Sequence, residues 1–109
     1  MNKDFLVSAL QSMENAKREN RNKIANIVYN NKELFKHLVS LTFEVDDKIS
    51  IKAAWILEWI CTHGKVRWML PHLEDFTQNI SNLHFDSAIR PCAKICEQIA
   101  TEYTSKPEN

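Results

Sequence analysis

Apolar side chains recur every three or four positions along most of the chain, the spacing that gathers them on one face of an α-helix. Phe5, Leu6, Ala9, Leu10 and Met13 form the first such stripe and predict a helix over about 3–15. An almost wholly polar run from Asn15 to Lys23 follows. It is either the turn between two helices or the exposed start of the second. Ile24, Ala25, Ile27 and Val28 carry that second helix, over about 21–30, and Asn30-Asn31 can end it and cap the next. Leu34, Phe35, Leu38, Val39, Leu41 and Thr42 predict a third helix over about 32–43. Glu44-Val45-Asp46-Asp47 breaks the pattern and supplies an aspartate to accept from the free N–H groups of a fourth helix, about 48–63. Gly64 stops it, because glycine enters the left-handed conformation at low cost. A fifth helix over about 65–81 contains Pro71, which removes a backbone donor and predicts a kink or a late start. Asn82 to Asp86 reads as a loop with Asp86 as the cap of a sixth helix, about 87–103, with Pro91 in its first turn. Thr104 to Asn109 reads as a frayed polar tail.

Composition agrees with an all-α chain. One glycine and three prolines in 109 residues cannot supply the closely spaced turns of an all-β fold. Hydrophobic residues make up 44% and charged residues 26%, enough apolar surface for one globular domain over 1–109 without disulfides or metal. Fourteen basic residues balance fourteen acidic ones, so no overall field draws the chain to nucleic acid or an anionic membrane. No uninterrupted apolar run is long enough to span a bilayer, and the N-terminus lacks the apolar core of a signal peptide. Cys61, Cys92 and Cys96, an odd number in apolar surroundings, point to reduced thiols and a cytoplasmic setting.

An internal repeat sharpens the architecture. With an offset of 39 residues, Asp47, Ala54, Ile56, Glu58, Ile60 and Thr62 meet Asp86, Ala93, Ile95, Glu97, Ile99 and Thr101, all identities. Each matched helix follows another helix, so the unit is a helical hairpin of about 40 residues, and the first two helices read as a degenerate third copy. One hairpin cannot bury its own apolar face, so neighbours must stack. The chain is expected to form three antiparallel hairpins, about 3–30, 32–63 and 65–103, in a short right-handed stack. The run Asp46-Asp47-Lys48-Ile49-Ser50-Ile51-Lys52-Ala53-Ala54 is similar to the HEAT repeat pattern, as are Ile89-Arg90 in the second copy and Leu70-Pro71 in the fifth helix. That resemblance to HEAT and armadillo repeats covers about 32–103 and implies an α–α superhelix acting as a scaffold or a binding surface. The chain also resembles short sequences labelled adenylosuccinate lyase, which would imply a lyase of purine metabolism. The serine- and glycine-rich catalytic loop of full-length lyases has no counterpart, since Gly64 is the only glycine.

The tryptophans are the strongest candidate site. On a helical wheel, Ala53, Ala54, Ile56, Leu57, Ile60 and Cys61 gather on one side of the fourth helix, with Trp55 and Trp59 opposite. Their repeat equivalents are the polar Lys94 and Gln98, and Trp68 follows closely. Tryptophan on a polar face marks a binding patch, and Lys52, Lys65, Arg67 and Arg90 would give it a basic rim. The competing expectation is burial of the tryptophans against a flanking hairpin, with Arg90 paired to an acidic neighbour.

The remaining candidates read more simply as structure. Cys92 and Cys96 share a face with Ile89, Ile95 and Ile99, which suits core packing better than a metal. His63 beside Gly64 suits a helix C-terminus, and Glu44, Asp46 and Asp47 suit the helix start that follows them. No Gly-rich phosphate loop, zinc-helix motif or catalytic pair is visible. The expected role is therefore an interaction module for a protein partner, or for a second copy of itself, with no cofactor and with Trp55, Trp59, Trp68, Lys52 and Arg67 as the binding patch.

Overall fold

A computed structural model of the chain describes residues 2–13 and 18–104. Helix α1, Lys3–Ser12, starts where Asn2 Oδ1 accepts from the Phe5 N–H at 3.0 Å. It ends earlier than its apolar stripe predicts, because Met13 is already extended (φ −78°, ψ 109°). Residues 14 and 15 of the expected helix lie outside the described residues. Helix α2, Arg18–Tyr29, takes in the last part of the polar run, which from Arg18 on is thus the start of the second helix, with Asn20, Arg21 and Asn22 half-buried and not exposed as expected. Asn30 and Asn31 finish it by donating side-chain hydrogen bonds to the carbonyls of Asn26 (2.9 Å) and Ile27 (2.8 Å).

A single 3-10 turn, Lys32–Leu34, leads into α3, Phe35–Thr42. Helix α4, Ile49–Ile60, begins where Asp47 Oδ1 accepts from the Ile49 N–H at 2.9 Å. Gly64 ends this run as expected, at φ +97°. The next segment follows its proline. Residues Val66–His72 are 3-10, and α-geometry (α5, Leu73–Asn79) begins only two residues past Pro71. Helix α6, Asp86–Thr104, starts one residue earlier than expected. The carbonyl that accepts its first hydrogen bonds belongs to Phe85, at 2.8 Å from the Ala88 N–H, so Asp86 is the first helical residue and not the cap. Pro91 consequently lies in the second turn, where it cannot donate to the carbonyl of Ser87.

Helix α4 is the hub: it packs against α1, α2, α3 and α6. Ala53, Ala54, Ile56, Leu57, Ile60 and Cys61, the set gathered by the wheel, are all buried. Around them stand Leu6 and Leu10 of α1, Val28 of α2, Leu38 of α3 and Ile95 of α6. Phe76 of α5 is fully buried edge-on to Phe43 with ring centroids 5.6 Å apart, and burial of a side chain that size is worth about 1.5–3 kcal/mol. No helix among the described residues is long and apolar enough to cross a membrane.

The two matched helices are not equally covered. Ile56 and Ile95 are both fully buried, and so are Ala53 and its counterpart Cys92. Ala54 and Leu57 of α4 and Cys61 just past its end are buried, whereas Ala93, Cys96 and Ala100 of α6 are exposed. The apolar surroundings expected for all three cysteines therefore hold for Cys61 and Cys92 but not for Cys96. The reason is position in the stack. Helix α4 has neighbours on several sides, while α6 turns a narrower stripe, Ala88, Cys92 and Ile95, to the core.

Candidate functional site

The three tryptophans lie along the seam between α2 and the run from α4 to Pro71, and each is half-buried. Trp59 is the best anchored. Its indole N–H donates to Asn22 Oδ1 at 2.7 Å, Tyr29 meets it edge-on at 6.0 Å, and His63 stacks on it at 3.7 Å between centroids. His63 Nδ1 lies 2.7 Å from the Trp59 carbonyl oxygen. A carbonyl only accepts, so the proton of that contact sits on Nδ1. His63 thereby satisfies one of the orphan carbonyls that a helix leaves at its C-terminus.

Trp55, one turn before Trp59, lies under the guanidinium of Arg21, 5.0 Å from the ring centroid. Trp68 sits against Tyr29 (6.3 Å) and edge-on to Phe35 (5.4 Å), with the ammonium groups of Lys32 and Lys65 over its ring at 5.6 and 5.5 Å. Lys65 also covers Tyr29 at 5.1 Å. Tyr29 thus touches both Trp59 and Trp68 and joins them into one aromatic row. The wheel of α4 alone could not reveal α2 as the partner of this row, because Arg21, Asn22 and Tyr29 enter from a different hairpin. The polar run that contains Arg21 and Asn22 carried no apolar signal to point there.

Two grooves open along this side. One, of about 270 Å³, is lined by the apolar surfaces of Phe35, Trp68 and Pro71 and by Lys32, Glu33, Lys36, Arg67 and His72. Arg67 is 70% exposed and pairs with Glu102 at 3.8 Å. The other, of about 310 Å³, lies where α2, α4 and α6 meet and is lined by Arg21, Trp55, Glu58, Ser87, Arg90 and Lys94. Among the described residues Arg90 has no ion pair within 4.0 Å, so the acidic partner expected for it in the adjacent hairpin is not there. Lys52, half-buried one turn before Trp55, lines neither groove.

The titratable groups give little to chemistry. Burial, followed by the neighbouring Cys92 and then Glu58, pushes the Cys61 thiol up to about 12. Burial pushes Cys92 to about 12 as well, with smaller contributions from Cys96 and Glu58. A thiol held protonated is a poor nucleophile. Cys96 is raised by partial burial. Among the described residues no three His, Cys, Asp or Glu side chains converge as a metal site would require.

Hairpins stacked about a shared central helix, with grooves between helices of different hairpins, define a helical-repeat protein. The chain belongs to the HEAT repeat domain family, whose model matches residues 7–106. No curated protein and no solved structure matches it.

Proposed function

We propose that the chain is a small helical-repeat interaction module that binds a protein partner through the Trp68 end of the aromatic seam. The observation that carries this reading is the groove lined by Phe35, Trp68 and Pro71 together with Lys32, Lys36 and Arg67. An apolar aromatic floor supplies the affinity of a hot spot, and three cations against the single carboxylate of Glu33 favour an acidic segment. Trp59 belongs to the same row, joined to Trp68 through Tyr29, and holds its shape, while Trp55 and Lys52 lie outside this groove. Family membership supports the scaffold role in general terms.

The test is affinity capture from the native lysate with the wild-type chain and a Lys36→Glu, Arg67→Glu variant. Both side chains are exposed, so the variant should fold. Loss of a wild-type partner is the expected result. The same partners on both proteins would overturn the assignment of this groove, and sedimentation of both would reveal whether the partner is a second copy. The competing enzyme reading makes a separate prediction: turnover of adenylosuccinate by the purified chain, abolished by a point substitution, would displace the scaffold reading.

A further inference from the structure

The groove between α2, α4 and α6 holds a concentration of positive charge that the fold does not neutralise. Arg21, Arg90 and Lys94 line it against one carboxylate, Glu58, in a chain whose net charge is zero. Glu58 lies beyond 4.0 Å of the three cations.

Three further observations point to an anion as the ligand. Among the described residues Arg21 Nε is buried without a hydrogen-bond partner, which is costly, and a shift of the guanidinium toward an acceptor in the groove would relieve it. Arg90 and Lys94 are spaced i, i+4 on α6, and like charges at that spacing repel. Their repeat equivalents in α4 are Ile51 and Trp55, so the pair is not inherited from the repeat. Finally, Ser87 lines the same groove one turn before Arg90 and brings a hydroxyl to it.

We propose that this groove binds a phosphoryl group: a phosphomonoester held by Arg21, Arg90 and Lys94, with the Ser87 hydroxyl beside it. Arginine matches the geometry of phosphate oxygens, lysine adds a mobile point charge, and Trp55 holds Arg21 in place from below. The site is separate from the Trp68 groove, so either can fail without the other.

The test is a titration of the full-length ¹⁵N-labelled chain, followed by amide and indole shifts, with inorganic phosphate, O-phosphoserine and a short peptide carrying one phosphoserine. Saturable shifts are expected at Ser87 to Arg90 and at the Trp55 indole. Arg90→Gln with Lys94→Gln, and separately Arg21→Gln, should each weaken binding by at least about tenfold, whereas Lys48→Gln, an exposed cation that lines neither groove, should not. Tighter binding of the phosphopeptide than of O-phosphoserine would assign the phosphoryl group to a protein ligand. Equal binding would assign it to a small phosphomonoester. Shifts that do not saturate, that spread equally to Lys32 and Lys36, or that survive in both groove variants would overturn the proposal. Wild-type-like spectra of the unliganded variants check that the fold is intact.

Discussion

The indole N–H of Trp59 donates to Asn22 Oδ1 at 2.7 Å across 37 positions of the chain, tying the central helix to the first hairpin. This contact explains why Trp59 is half-buried although its own helix places it opposite the core. Asn22→Ala removes the acceptor and leaves a part-buried indole donor unpaired, which should cost about 1–2 kcal/mol in urea denaturation. Trp59→Phe in the Asn22→Ala background should then add less than it does alone, since the two changes share one hydrogen bond. Additive effects in that double-mutant cycle would show the bond to be energetically silent.

Gly64 is a position where backbone conformation alone decides. Its φ is +97°, and a Cβ built there would meet nothing within 4 Å. Gly64→Ala should therefore lose about 1–2 kcal/mol from strain with no steric clash. Gly64→Asn should lose less, because asparagine tolerates the left-handed region. Equal losses for the two would point to a packing role instead.

The buried thiols predict a pH response. In the folded chain Cys61 and Cys92 stay protonated up to about 12, while in the unfolded chain they ionise near 9.0. Between those values the unfolded state binds fewer protons, so stability is intact below pH 9 and falls as pH rises toward 12. Each thiol contributes at most about 1.4 kcal/mol per pH unit to that slope. A Cys61→Ala, Cys92→Ala variant should show a shallower decline over the same window; an identical decline would assign it to other groups. The same burial predicts that Cys96, the exposed thiol, reacts with a thiol reagent well before Cys61 and Cys92, which react only on unfolding.

Ser50 offers the opposite sign. Its side chain is fully buried and its Oγ has no hydrogen-bond partner, in contrast to the buried Thr42, whose hydroxyl donates to the Leu38 carbonyl at 2.9 Å. Ser50→Ala removes an unpaired hydroxyl and should be neutral or stabilising by about 1 kcal/mol, whereas Thr42→Val should be mildly destabilising. A marked destabilisation by Ser50→Ala would mean that the hydroxyl has a partner in solution.

Local features were legible because they depend on residues close together in the chain. Helical periodicity located six helical segments. Gly64 ends its helix because only its own φ is at stake, and Pro71 delays α5 because a missing N–H acts within one turn. The helical wheel of α4 placed Ala53, Ile56 and Ile60 in the core. Boundaries that depend on one hydrogen bond, such as the start of α6 at Asp86 in place of Ser87, were a residue off, and this moved Pro91 into the second turn. What periodicity could not reach was coverage. Ala54 and Ala93 occupy the same repeat position, and so do Cys61 and Ala100. In each pair one residue is buried and the other exposed, because burial is decided by the neighbour that a distant part of the chain brings. The tryptophan seam has the same origin: α4 alone sets Trp55 and Trp59 opposite its core face, but only tertiary packing lays Arg21, Asn22 and Tyr29 against them and gathers Arg21, Arg90 and Lys94, from two hairpins, around one groove.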